Sequence, residues 1–107
     1  MAYAERGVSA PPEVVFNTAT DPDRISAWLP EPLLSGDPAP EGDAGELRAR
    51  WAARHTDWSA DLTVEPVDAG GSRLRLELAG DGEDVDRLAD EVLNSLAREV
   101  ADNLQAG

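Results

Sequence analysis

Three successive runs in the middle of the chain alternate between apolar and polar residues. Over 46–54, Leu47, Ala49, Trp51 and Ala53 share one parity, with Arg48, Arg50 and Arg54 on the other. Over 58–66, Trp58, Ala60, Leu62 and Val64 oppose Ser59, Asp61, Thr63 and Glu65. Over 73–79, Leu74, Leu76 and Leu78 oppose Arg73, Arg75, Glu77 and Ala79. A period of two sends alternate side chains to opposite faces of a strand. Consecutive runs of this kind predict an antiparallel meander with one buried face.

The register follows, because side chains that share a face pair across the ladder. Trp51 opposite Ala60 puts Leu47 opposite Val64, with a loop of two or four residues around His55-Thr56. It also sets Arg50 against Asp61 on the outer face. A second turn at Asp68-Ala69-Gly70-Gly71 places Val64 opposite Leu74 and Glu65 against Arg73. Exposed pairs of opposite charge each add roughly a few tenths of a kcal/mol.

Beyond residue 80 the period lengthens. Val85, Leu88, Ala89, Val92, Leu93, Leu96, Val100 and Leu104 form one apolar stripe at helical spacing, opposite Asp86, Asp90, Glu91, Glu99 and Asp102. Asp81 is placed to cap this helix, with Glu83 and Asp84 in its first turn.

The N-terminal part is less regular. Residues 2–9 predict a weak opening strand, since Val8 is its one strongly apolar residue and Gly7 interrupts it. Ala10-Pro11-Pro12-Glu13 reads as a helix start, with Val14, Val15, Phe16 and Ala19 as the buried side. Asp21-Pro22-Asp23 restarts the chain as a second short helix. Its apolar face is Ile25, Trp28 and Leu29, and Pro30 ends it. Residues 30–45 are rich in Pro and Gly and read as loop, with room for a short edge strand near 33–36.

Composition narrows the chemistry. With 107 residues, the expectation is a single domain over 1–107, without internal repeats. The hydrophobic share, 41%, is enough for a core, so disorder is excluded despite the charge. The absence of cysteine removes disulfides, thiolate metal sites and cysteine nucleophiles. All nine basic residues are Arg, which excludes lysine Schiff-base chemistry. His55 is the single histidine, and at a hairpin tip it reads as a turn residue rather than a base oriented by Asp57. Asp37, Glu41 and Asp43 match no calcium loop. No catalytic residue, metal or cofactor is expected. A net charge of −13 disfavours nucleic acid and anionic membranes as partners. No apolar stretch reaches the ~20 residues that span a bilayer, and Met1–Arg6 lacks the start of a signal peptide, so the expected location is cytoplasmic.

The order is strand, two short helices, antiparallel strands, long amphipathic helix. Together with Val8-Ser9-Ala10-Pro11-Pro12-Glu13-Val14-Val15-Phe16 and Thr20-Asp21-Pro22-Asp23-Arg24-Ile25-Ser26-Ala27-Trp28-Leu29, it resembles the START-like helix-grip (SRPBCC) superfamily, in its polyketide cyclase/dehydrase-like branch. The resemblance implies an α+β fold: a curved antiparallel sheet gripping the C-terminal helix, with an apolar ligand cavity between them. That sheet usually has six or seven strands. Four or five are countable here, so a hairpin is expected to be missing and the cavity to be smaller or more open.

Parity places Trp28, Trp51, Trp58, Leu62 and Leu76 on the wall of such a cavity, facing Leu88, Val92 and Leu96. Tryptophan offers large flat contact area and one N–H donor, although in a small domain it also simply fills the core. Three functions are thereby expected, in this order. The first is binding of a small hydrophobic or aromatic molecule. The second is a protein-interaction module like the chaperone-ATPase-activator homologues that share the fold. The third is a cyclase/dehydrase-like enzyme, disfavoured because no catalytic constellation stands out.

Overall fold

The computed structural model describes residues 2–21, 23–30, 33, 41–43, 45–53, 57–67, 70–80 and 84–106. In chain order the elements are β1 (Ala2–Val8), α1 (Pro12–Thr20), α2 (Ile25–Trp28), β2 (Glu41–Asp43), β3 (Arg48–Ala52), β4 (Ser59–Pro66), β5 (Ser72–Ala79) and α3 (Val85–Ala106). The strands form one antiparallel sheet in the order β1-β5-β4-β3-β2. One face carries α3, and α1 and α2 close the far end of that helix. The architecture is α+β, with an open sheet and a long C-terminal helix, as the residue pattern predicts.

The register agrees with the parity reading. Trp51 pairs with Ala60 and Arg50 with Asp61, while Val64 pairs with Leu74 and Glu65 with Arg73. The Ala53 N–H donates to the Trp58 carbonyl at 2.9 Å, which leaves four residues between them, the longer of the two expected loops. At the other end of β3, Leu47 differs from expectation. It is a turn residue with φ of 53°, and the strand begins at Arg48. Its carbonyl still accepts the Val64 N–H at 2.9 Å, so it closes the ladder while its half-buried side chain stays against the core. A leucine in the left-handed region costs about 1–3 kcal/mol, and that cost is met by the contacts on either side.

β1 is firmer than its sequence predicts. It pairs with β5 along its whole length, from Ala2–Leu78 to Val8–Ser72. Its inward positions Ala2 and Ala4 are buried. Small side chains there let α3 lie close to the strand, and at the end of the same face Arg6 hydrogen-bonds Asn94 of α3. Strand propensity undervalues such a segment, because its stability comes from pairing and from the helix above it.

The core is the seam between the inner sheet face and α3. Leu62, Leu74, Leu76 and Leu78 from the sheet are fully buried, as are Ala89, Leu96 and Val100 from the helix. Each large aliphatic side chain buried there contributes about 1.5–3 kcal/mol. Leu104, expected to continue the stripe, is instead 45% exposed. A helix of 22 residues runs about 33 Å, whereas a strand of eight spans about 27 Å, so the last turns overhang the sheet. The overhang is held by α1 and α2 instead. Arg24 bridges Glu99 at 3.3 Å and Asp102 at 3.2 Å. The Asn103 amide donates to the buried Thr18 hydroxyl at 3.0 Å, and that hydroxyl donates to the Val14 carbonyl at 2.8 Å.

Several expectations fall differently at the loops. The Asp21 side chain does accept an N–H, that of Asp23 at 2.9 Å, and α2 starts just beyond at Ile25. Val14 is half-buried rather than buried. The edge strand expected near 33–36 lies, Leu33 apart, outside the described residues. Leu33 is helical and buried, and the strand that pairs with β3 is β2. The Asp81 cap and His55 also lie outside the described residues.

The overhang makes a direct prediction. Leu96→Ala should lower the unfolding free energy by about 2–5 kcal/mol, and Leu104→Ala by under about 0.5 kcal/mol, in urea denaturation. Equal losses would place Leu104 in the core and refute the overhang.

Candidate ligand-binding site

The inner layer gathers all eight residues expected on the wall. Trp51, Leu62 and Leu76 point inward from β3, β4 and β5, and all are buried. Trp28, the last residue of α2, is buried against them. Val92 and Leu96 are buried on α3. Trp58 and Leu88 are only half-buried, packed against the rim of the core with Ala53 and Val85. Leu74, Leu78 and Leu93 are equally buried. The first two carry the same parity signal as Leu76, and Leu93 lies on the helical stripe.

The tryptophans define the geometry. The rings of Trp28 and Trp51 meet edge to face, with centroids 5.0 Å apart and planes at 82°. That arrangement sets the positive edge of one ring against the negative face of the other. Trp28 is 3% exposed and Trp51 1%. Neither indole N–H has a hydrogen-bond partner among the described residues. The β3–β4 register puts Trp58 diagonal to Trp51, since Ala60 pairs with Trp51 and Trp58 precedes it by two. The Trp58 indole packs directly against Gly80, where an added Cβ would clash with three of its ring atoms. Gly80 is therefore a positioning residue, which parity reasoning passes over because it has no side chain to assign to a face.

The outer face is a lattice of charge. Asp61 lies opposite both Arg50 and Glu77, yet its bidentate partner is Arg48, one pair further along, at 3.0 and 2.6 Å. Glu65 likewise turns from Arg73, its partner in register, to Arg75 at 2.8 Å. Arg75 also takes Glu5 at 3.2 Å and the Tyr3 hydroxyl at 2.8 Å. Long side chains reach diagonal neighbours on a sheet, and Arg48 here offsets the direct opposition of Asp61 and Glu77. A cleft of about 260 Å³ opens among Tyr3, Arg48, Asp61, Thr63, Arg75 and Glu77. Both of its arginines are already engaged by carboxylates, so it presents no free positive charge to an anion.

The hydrogen bond and charge of Arg48 hold the Asp61 carboxyl below its ordinary value of 3.8, against a smaller opposing effect of burial. Among the described residues no cluster of His, Asp and Glu has the geometry of a metal site. No helix among them is long and apolar enough to cross a membrane.

No protein-family model and no curated protein sequence matches the chain. Solved structures do. TTHA0849 from Thermus thermophilus superposes with a TM-score of 0.74 at 19% identity, covering 95% of this chain and 97% of its own. The di-domain ARO/CYC StfQ from the steffimycin biosynthetic pathway gives 0.74 at 15% identity. The match covers 98% of this chain but 46% of StfQ, so the chain spans just under half of that protein. The Aha1 dimer from Colwellia psychrerythraea gives 0.57 at 15% identity, covering 87% of this chain and 85% of its own. The chain thus has a helix-grip fold, as the resemblance implies, with five strands among the described residues.

Two outcomes test this geometry. Gly80→Ala should displace Trp58, red-shift the tryptophan emission and cost about 1–3 kcal/mol in denaturation. An unchanged spectrum would show that Trp58 does not rest there. Asp61 should titrate below the ordinary carboxylate range by NMR, and Arg48→Ala should return it upward. Because the folded pKa is depressed, the stabilisation from this pair is present above the unfolded pKa and is lost as pH falls through the folded one. In the Arg48→Ala variant, stability should therefore fall less between neutral pH and that acidic window. An unaltered acid dependence would remove Asp61 from the account.

Proposed function

We propose that the chain binds a small hydrophobic or aromatic molecule between the inner sheet face and α3. The contact residues are Trp28, Trp51, Trp58, Leu62, Leu76, Leu88, Val92 and Leu96. One observation carries the reading: all three tryptophans of the chain belong to this layer, two in ring contact and the third half-exposed at its rim. A flat ligand that displaces Trp58 and Leu88 at the rim reaches Trp51 with aromatic surface on both sides. StfQ, an ARO/CYC by its description, shares this layered arrangement, which supports a cyclic ligand. Among the described residues of the layer no nucleophile stands beside a base, so the reading we favour is binding rather than catalysis.

A flat hydrophobic ligand should quench tryptophan emission saturably. Trp51→Ala should weaken that binding by about tenfold or more, through lost aromatic contact, while Arg75→Ala on the outer face should leave it within about twofold. Equal effects from the two substitutions would move the site off the inner face.

A second reading, a protein-interaction module, is favoured by β1. This strand lies at one end of the sheet order, and its Tyr3 is exposed. An uncovered strand edge is a template for pairing with another chain. Absence of saturable binding across aromatics, fatty acids and sterols, with a stoichiometric protein partner in native mass spectrometry, would establish that reading over the first.

A further inference from the structure

The two ends of the sheet are unlike. β2 forms one end with three residues. β1 forms the other with seven, and its register with β5 runs from Ala2–Leu78 to Val8–Ser72 without a bulge. Short strands, bulges, proline and lysine are the usual means of blunting an exposed edge, and β1 has none of them. The ladder determines which of its backbone groups face outward, because residues of an antiparallel pair alternate between exchanging both hydrogen bonds and exchanging none. The Val64 N–H donates to the Leu47 carbonyl and the Ala53 N–H to the Trp58 carbonyl, so the even-numbered residues of β4 bond toward β3. Its odd-numbered residues therefore bond toward β5, as the Val67 N–H does to the Gly71 carbonyl just past the strand ends. That leaves Ser72, Leu74, Leu76 and Leu78 of β5 to bond Val8, Arg6, Ala4 and Ala2. The N–H and C=O groups of Tyr3, Glu5 and Gly7 consequently point away from the sheet, and all three residues are exposed.

We infer that β1 pairs antiparallel with β1 of a second copy of the chain, joining two sheets about a two-fold axis at Ala4. This rests on the interaction reading of β1 above, whose partner it names, and is independent of the ligand-binding one. Charge sets the register. Self-pairing must keep each side chain on its own face, so the axis passes through a residue of the strand. An axis at Glu5 sets Glu5 against its own copy, and an axis at Arg6 does the same to Arg6; like charges directly opposed weaken a ladder. An axis at Ala4 sets Tyr3 against Glu5 twice on the outer face, and the two small Ala4 side chains against each other on the inner one. Tyr3 and Glu5 are the residues whose backbone groups face outward, so each of these two pairs exchanges both of its N–H···O=C bonds. The Tyr3 hydroxyl already donates to the Glu5 carboxylate at 2.6 Å within one chain, so the side chains are complementary as well. α3 lies over β1 and β5, which sets the two copies of α3 about 10 Å apart across the axis, the spacing of packed helices. Opposing the contact is the charge of −13 on each copy. Asp90 belongs to that repulsion, since it lies one turn before Asn94, which bonds Arg6 on the β1 flank of α3.

The test is sedimentation equilibrium together with amide hydrogen exchange on the full chain. The purified protein should pass from monomer to dimer as its concentration rises. A tenfold rise in sodium chloride should tighten the dimer by roughly threefold or more, because screening relieves the repulsion between two acidic copies. When about nine-tenths of the chains are paired, the Tyr3 and Glu5 amides should exchange about tenfold more slowly than in the dilute monomer, while the Ala4 amide, already bonded to β5, is slow in both. Glu5→Pro takes away an outward N–H and the carboxylate, and Glu5→Gln takes away the charge alone. The first should stay monomeric and the second should still dimerise. If Glu5→Pro fails to fold, exchange in the unaltered chain decides. A chain that is monomeric at every concentration overturns the inference and leaves the interaction reading to its own test. A dimer whose Tyr3 and Glu5 amides exchange freely overturns it too, because the contact then lies elsewhere. Tyr3 and Glu5 amides already protected in the dilute monomer would mean that the edge is not open, and the inference and the interaction reading would fail together.

Discussion

The structure depends on one fit: a long amphipathic helix laid along the inner face of an antiparallel sheet whose buried side chains include four leucines, three of them on β5. Leu62, Leu74, Leu76 and Leu78 lie on the sheet side of that seam and the stripe from Ala89 to Val100 on the helix side, and all four leucines are fully buried. The remaining elements adjust to it. β1 carries alanine at Ala2 and Ala4, where bulk would lift the helix. Where α3 outruns the strands, Arg24 and Thr18 reach across from the short helices and hold its last turns by charge and hydrogen bond. The polar contacts are therefore concentrated where apolar packing stops.

The outer face shows how a strongly acidic chain keeps a sheet together. Register alone would set Asp61 against Glu77, a pairing that weakens the ladder. Arg48 and Arg75 lean along diagonals to neutralise Asp61 and Glu65, and Arg75 reaches Glu5 on the neighbouring strand as well. Exposed pairs of this kind add little individually. Their value lies in removing repulsion within the sheet.

Much of this was legible in the residues because it follows from periodicity. A period of two fixed β3, β4 and β5 and the pairs Trp51–Ala60 and Val64–Leu74, and a helical period fixed α3. What periodicity could not supply is anything set by lengths and reach in three dimensions. Leu104 has the spacing of a core residue but lies beyond the end of the sheet. Arg50 faces Asp61 in register but loses it to Arg48, because a guanidinium on a long stem is not confined to its own pair. Leu47 continues the alternation, yet its backbone turns to begin the strand. Gly80 holds Trp58 in place through having no side chain, a signal no hydrophobic pattern carries. The inner wall was readable as a set, whereas the unpaired state of Trp28 and Trp51 was not, since it depends on what the folded chain fails to bring near them.

If the grip of the sheet on α3 is what the fold rests on, the helix should be among the last parts to open. Native-state amide hydrogen exchange measures this residue by residue. The account predicts that amides from Val92 to Leu96 on α3 exchange as slowly as those of Leu62 on β4 and Leu76 on β5, at the rate set by global unfolding. It also predicts faster exchange beyond Val100, where the helix overhangs. Amides of Val92–Leu96 exchanging well ahead of the central strands would contradict it, because the sheet would then be stable without the helix it is described as gripping.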